Sequence, residues 1–340
     1  MKILGFETSC DDTSVAVVQV TAGRGTIIAQ HTYTQVEEHA KWGGVVPDIA
    51  SRAHLEHLPR LYAQTLASAN VTLAEIDGIA ATVGPGLVGT LLMGSMFGKA
   101  LAMGAGKPFI GVNHLEGHAL SPLLMPDSPV TFPYLLLLVS GGHCVIVRVD
   151  GLGQYKTLGS TRDDAAGECL DKSARLLGLR PSGAALEKAA QGGDPFAYPL
   201  PNPKVDGLDF SFSGLKTAIA LQVQKAGALD DTARANMAAS IQRAVATTIA
   251  YKVEKAVKET NLTTVVVAGG VAANAEVRTL LTTVCTRQGA TLVVPPFALC
   301  TDNAAMIALA GGLRLQHQNV YDWGLPVRPR WPLDEMTAIV

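Results

Sequence analysis

The chain has 340 residues, 48% of them hydrophobic and 16% charged, with a formal net charge of −2. A chain of this make-up can bury a large core and has room for two ordinary domains, which excludes a disordered polymer. The near-neutral balance excludes a globally basic nucleic-acid binder, so any RNA must meet a local basic patch or a partner's surface.

Taken in chain order, residues 2–7 and 14–20 read as two strands joined by the polar turn Thr-Ser-Cys-Asp-Asp-Thr, with residues 27–33 as a third strand. Helical spacing covers 48–69, followed by a buried strand over 79–83, the turn Gly84-Pro85-Gly86 and an apolar helix over 87–103. Pro108 opens the strand 109–112, and Asn113-His114-Leu115-Glu116-Gly117-His118 starts a helix. A second unit repeats the opening pattern, with strands 134–139, 144–149 and 153–160 and the tight turn Ser140-Gly141-Gly142-His143. Helices are expected over 164–178, 183–191, 213–226 and 231–260, with a Pro- and Gly-rich functional loop at 192–211. The strand 264–269 runs into Gly270-Val271-Ala272-Ala273-Asn274 and a helix, the strand 291–295 into a last helix ending near 315, and the tail 321–340 reads as irregular. Two hairpins, each followed by αβ units, suggest an internal duplication. The expected class is α/β, a two-lobed actin-like, sugar-kinase-like ATPase fold built from duplicated ribonuclease-H-like domains. The expected lobes are 1–110 plus about 305–325, then 111–304, with 326–340 as a tail.

The cysteines Cys10, Cys144, Cys169, Cys285 and Cys300 form no C-x-x-C pair, which fits reduced thiols better than a disulfide framework. The N-terminus does not read as a signal peptide, and the longest apolar run, Tyr134–Val139, is too short to span a bilayer. A cytoplasmic protein without a membrane segment is expected.

Three turns can cradle an anion: Thr8–Thr13, Ser140–His143 and Ala268–Asn274. Glycines let backbone N–H groups approach a phosphate, and a helix N-terminus adds free N–H groups and a positive dipole end. No G-x-x-x-x-G-K-[ST] occurs, so a P-loop is not expected. His114 and His118, at i and i+4, can point two imidazoles at one ion. Position 115 is Leu where a zincin needs Glu, and Glu116 faces away, so a peptidase base is missing. Asp302, in a loop before a helix, is the third candidate ligand, unless it serves as that helix's N-cap. Two histidines and one carboxylate leave open positions suited to Fe(II), zinc or magnesium. Asp164, Glu168 and Asp171 fall on one helix face, either as a solvated surface or as acceptors for a ribose. Basic candidates for RNA are Lys204, Lys216, Lys252, Lys255, Lys258, Arg328 and Arg330.

The segments FETSCDDTSVAVV, EHAKWGGVVPDIASRAH, TVGPGLVGTLLMG, NHLEGHAL, LLVSGGHCVI, DDAAGECLDKSARLLGL, DFSFSGLKTA, VVAGGVAAN, CTDNAAMIA and RWPL span nearly the whole chain. In that order they resemble the TsaD (YgjD, Gcp) family, bacterial tRNA N6-adenosine threonylcarbamoyltransferases. The resemblance implies the actin-like fold and transfer of a threonylcarbamoyl group from threonylcarbamoyl-AMP to N6 of an adenosine beside the anticodon, in tRNAs reading codons that begin with A. It implies His114, His118 and Asp302 as ligands of one divalent metal per subunit, Fe(II) first, with zinc or magnesium as alternatives. Leu138, Val139, Ser140, Gly141, Gly142, Asp171, Gly183 and Asn274 match substrate-binding positions. The implied partners are a TsaB-like shorter homologue forming a heterodimer, a TsaE-like ATPase, tRNA and threonylcarbamoyl-AMP. Two departures stand out. Asp12 replaces the family's usual Glu, and Arg180-Pro181-Ser182-Gly183 replaces a YPGG-like turn and is one residue shorter. Asp11 is the candidate to position the attacking amine or accept its proton, with the leaving phosphate as the alternative base. The rival readings on this fold are a metallopeptidase, a small-molecule kinase and a non-catalytic scaffold.

Overall fold

A computed structural model describes residues 1–202, 205–317 and 323–337. The chain divides into two units, 1–130 with 151–155 and 301–340, and 131–150 with 156–300.

The first unit opens with β1 (Lys2–Glu7), β2 (Asp12–Thr21) and β3 (Arg24–Thr34) as an antiparallel meander. A short helix not anticipated from sequence, α1 (Val36–Ala40), precedes α2 (Pro47–Ala69). Then come β4 (Gly78–Gly84), α3 (Val88–Ala105), β5 (Phe109–Asn113) and α4 (His114–Leu120). β4 and β5 add in parallel, giving the order β3-β2-β1-β4-β5. β4 is buried over its whole length because helices cover a parallel strand on both faces.

The second unit begins with β6 (Tyr134–Val139), β7 (Cys144–Gly151) and β8 (Gln154–Ser160). It continues through α5 (Ala166–Leu176), α6 (Gly183–Ala189), α7 (Ser213–Ala226), α8 (Asp231–Thr260), β9 (Thr264–Ala268), α9 (Ala275–Arg287), β10 (Thr291–Val293) and α10 (Phe297–Cys300). Its sheet runs β10-β9-β6-β7-β8, which is the strand order of the first sheet read from its other edge. The duplication suggested by the hairpins is therefore a shared topology. Gly269 (φ +92°) leaves β9 where a Cβ would collide with the Val139 carbonyl, so only glycine fits.

The last helix, α11 (Ala304–His317), returns to the first unit and packs on β1, β2, β4 and α4. The expected boundary near residue 110 is thus corrected to about 130. β5 completes the first sheet and runs directly into α4, and α4 is tied to α11 by a buried ion pair between Glu116 and Arg314 (Nε–Oε2 and Nη2–Oε1, both 2.7 Å). The described tail, 323–337, is irregular as expected apart from one short turn at Leu333–Glu335, and it is anchored to the first unit. Arg328 N donates to Val83 O at 2.6 Å and Asn113 Nδ2 to Trp331 O at 3.0 Å.

All five cysteines are free thiols. Among the described residues one helix, α3, is long and apolar enough to cross a membrane by length and composition, although glycines, Lys99 and hydroxyl residues interrupt its apolar run. Here α3 packs on β4 and α2.

Candidate functional site

In the first unit, His114 and His118 stand on α4, which starts where Asn113 accepts from Leu115 N (2.9 Å) and Glu116 N (3.4 Å). The cap fixes the helix register and so puts both rings on one face. Asp302 lies just before α11. Asn303 caps that helix by accepting from Met306 N at 3.0 Å, which leaves the Asp302 carboxylate for other work. Asp302 Oδ1 lies 3.1 Å from His118 Nε2 and 3.5 Å from His114 Nε2. The donor atoms of all three residues lie within 4.8 Å of one another. Ligands about 2.0–2.2 Å from one ion sit roughly 3.0–3.5 Å apart, so the cluster fits a small divalent cation. The ring of His118 also keeps a buried Nδ1 with no protein partner.

The electrostatics are those of a tight cationic–anionic cluster. Burial pulls the His114 imidazole down, but the Glu7 and Asp302 carboxylates outweigh it and hold it well above its usual range. Burial holds His118 low, with only partial compensation from Asp302. Burial would raise Asp302, but His114 and His118 hold it well below the usual carboxylate range. The side chains of His114 and His118 are 6% and 2% exposed and that of Asp302 30%, so an incoming group would approach from the carboxylate side. Glu116 is fully buried in its pair with Arg314, which keeps it from acting as a zincin base.

The turn between β1 and β2 is held on both sides. Thr8 Oγ1 donates to Thr90 O at 2.8 Å, and Ser9 O accepts from Leu87 N at 2.9 Å. Buried His54 on α2, which sequence reasoning missed, lies 2.7 Å from Thr13 Oγ1 and 3.0 Å from Cys10 O. Asp11 is half-buried, and its carbonyl accepts from Gln35 N at 3.1 Å. Asp12 follows it as the first residue of β2. Burial, and the negative charges of Asp11, Asp302 and Glu7, outweigh a hydrogen bond from Thr34 and push its carboxyl up to about 7. Its Oδ1 is buried without a partner.

In the second unit, Gly141, Asp171, Gly183 and Asn274 line one cavity of about 260 Å³, together with Glu187 and Phe297. Gly183 N donates to Asp171 Oδ1 at 2.7 Å, so the shortened Arg-Pro-Ser-Gly turn still brings Gly183 to the aspartate. Leu138 and Val139 are fully buried within β6, and the structure does not bring their side chains to this cavity. Ser140 closes its turn by donating from N to His143 O at 2.8 Å, while Gly141 and Gly142 keep open space where a Cβ would stand. The expectation of free N–H groups at the helix after β9 is corrected. A 3-10 turn, Gly270–Ala273, intervenes. Two of the first N–H groups of α9 are already taken, Val277 N by Asn274 Oδ1 (3.1 Å) and Ala275 N by Glu187 Oε1 (2.8 Å). Glu187 carried no signal in the sequence, because its partner lies 88 residues away.

The acidic face expected on α5 does not form as a unit. Asp164 precedes the helix and pairs with Lys172 (3.2 Å) and Lys216 (2.6 Å), Glu168 pairs with Lys172, and Asp171 turns to Gly183. Several basic candidates are also occupied. Lys252 is 1% exposed and donates to Val205 O (2.6 Å) and Gly207 O (2.9 Å), so it braces the long loop and presents no charge to RNA. Lys255 and Lys258 pair along α8 with Glu259 and Glu254, and Arg328 pairs with Glu335. Arg330 is exposed, and Lys204 lies outside the described residues.

Duplicated five-stranded sheets of identical strand order define an actin-like, sugar-kinase-like fold. Solved structures agree. The chain is similar to the HypF of T. kodakarensis (TM-score 0.63, 16% identity, 93% of this chain and 48% of that one). It is likewise similar to the ROK hexokinase of Thermus thermophilus (TM-score 0.54, 15% identity, 94% of this chain and 100% of that one). Sequence narrows the class. Residues 26–309 match the family model "TsaD: tRNA N6-adenosine threonylcarbamoyltransferase". A relative from Brucella anthropi bearing that enzyme name is 49% identical over 99% of this chain and 97% of its own length. Another from Rhodospirillum rubrum is 50% identical over 98% and 95%. The chain belongs to the TsaD family.

Proposed function

We propose that the protein transfers the threonylcarbamoyl group of threonylcarbamoyl-AMP to N6 of the adenosine beside the anticodon, in tRNAs that read codons beginning with A. The observation that carries this reading is the near-full-length match, at about half identity, to enzymes named for the same transfer. The reaction balances simply. N6 attacks the carbamoyl carbonyl carbon, the new N–C bond forms, the C–O bond to the phosphate breaks, and AMP leaves as N6 gives up one proton. The Asp11 carboxylate is assigned to orient the amine or take that proton, with the leaving phosphate as the alternative acceptor.

His114, His118 and Asp302 are assigned as the ligands of one divalent ion, Fe(II) first, zinc or magnesium otherwise. When bound, the ion supplies a Lewis acid for the charge that develops as AMP departs. Asp171 and Asn274 are assigned to the nucleoside of the donor, with Gly183 holding Asp171 in place and Phe297, 64% exposed, offering a ring for the base to stack on. The Ser140–Gly142 turn is assigned to the phosphate, its open glycine positions being consistent with that role. Leu138 and Val139 then contribute only as the strand that carries this turn. The protein is assigned to the cytoplasm, acting with a TsaB-like homologue as a heterodimer and a TsaE-like ATPase.

The test is reconstitution with these partners, threonylcarbamoyl-AMP and a tRNA of the stated class, followed by nucleoside analysis. Formation of the modified adenosine is expected, and its absence with folded, metal-loaded protein overturns the assignment. The double variant His114→Ala/His118→Ala is expected to lose bound metal and transfer together. Full metal content with full activity would end the metal assignment.

A further inference from the structure

Glu7 stands at the end of β1, fully buried beneath the cluster, and neither the motifs nor the assigned roles account for it. Its carboxylate is held from three sides. Oε1 accepts from Ser9 N at 2.6 Å, and Oε2 accepts from Thr82 Oγ1 at 2.6 Å and lies 3.0 Å from His114 Nδ1. A carboxylate only accepts, so the proton of this last contact sits on Nδ1 of the ring. The lone pair of a neutral His114 is then on Nε2, the nitrogen that faces Asp302. Carboxylate, imidazole and ion in a row is a recurrent way of fixing ring tautomer and orientation at metal centres.

We propose that Glu7 is a positioning residue that presents His114 to the divalent ion through Nε2. The proposal rests on the metal assignment above. It gives a reason for burying a carboxylate beneath the β1–β2 turn, and for placing the Thr82 hydroxyl at 2.6 Å from it on the neighbouring strand β4. Glu7→Gln is close to isosteric but reverses the contact. With Oε1 still accepting from Ser9 N, the amide nitrogen faces Nδ1 and donates to it. The ring proton moves to Nε2, where it blocks the ion. Flipping the amide would set two N–H groups against each other at Ser9.

The experiment uses the full chain, stripped of metal, with Co(II) as the probe. Affinity and visible spectrum are measured for the wild type, Glu7→Gln and Thr82→Val, and the His114 tautomer is read by nitrogen NMR in the metal-free proteins at a pH above the titration of that ring, where it is neutral. Glu7→Gln is expected to weaken Co(II) binding by roughly 10- to 100-fold and to move the His114 proton from Nδ1 to Nε2. Thr82→Val, which removes one donor to Glu7, is expected to weaken binding less, in the same direction. Glu7→Gln binding within twofold of the wild type, with an unchanged spectrum and tautomer, overturns the proposal while leaving the metal assignment intact. A wild type that takes up no Co(II) overturns both. Should Glu7→Gln fail to fold, Thr82→Val decides, and unchanged affinity there overturns the proposal.

Discussion

At the scale of single residues, Asp12 opens β2 with its carboxyl pushed up to about 7 by burial and by the surrounding negative charges. Its pKa is higher folded than unfolded, so the native state holds the extra proton. Its contribution to stability is therefore complete below about pH 4 and is lost as pH rises toward 7. In the metal-free protein, Asp12→Asn should flatten the fall in urea midpoint across that window, where one group gives at most about 1.4 kcal/mol per pH unit. Parallel profiles for variant and wild type would refute it. Sequence named Asp11 as the candidate and Asp12 only as a departure from the family's Glu, because the burial that acts on Asp12 comes from contacts distant in the chain, such as that with Thr34 on β3. For the same reason His54 went unseen, since a histidine on an amphipathic helix reads as ordinary until its contacts to Cys10 and Thr13 are known.

At the scale of elements, α4 supplies the histidines, α11 follows directly from the aspartate, and the buried Glu116–Arg314 ion pair joins the two helices. Glu116→Ala would take from the Arg314 guanidinium, 9% exposed, the buried carboxylate that pairs with it, and should cost about 3–5 kcal/mol in thermal or urea unfolding. Replacing both partners by apolar residues of similar size should cost much less than the sum of the single changes, so a double-mutant cycle that proves additive would show the clamp to be slack. The helices themselves were legible. Periodicity placed α2, α3, α7 and α8 within a residue or two, and the segment Asn113–His118 was legible as a helix start. What pattern could not show was Asn303 capping α11 in place of Asp302, since adjacent Asp and Asn are both good caps and only geometry tells them apart.

For the whole molecule, the His/His/Asp cluster proposed to hold the ion assembles within one unit from residues 114, 118 and 302. Ligand binding to the folded state alone stabilises by mass action, about 2.7 kcal/mol at one hundred times the dissociation constant. Co(II) at that excess should therefore raise the wild-type melting midpoint by several degrees, a chelator should reverse the shift, and His118→Ala should not respond. An equal response from His118→Ala would show that the ion sits elsewhere. The fold class was readable because both halves carry the same run of hairpin and αβ signals. The boundary between them was not, because assigning residues 111–130 depends on contacts such as that of Glu116 with Arg314, 198 positions apart.

The shared strand order has a historical corollary. In each sheet one turn joins the first two strands of the meander, residues 8–11 in one unit and 140–143 in the other. If the units descend from one ancestral half, these turns began as the same piece of chain and have since specialised. One carries Asp11 and is braced by contacts to α2 and to the start of α3. The other has shed its side chains at two glycines and kept room where they would stand. Division of labour between duplicated parts is here recorded in four residues of each copy, at a point where neither sheet had to change to permit it.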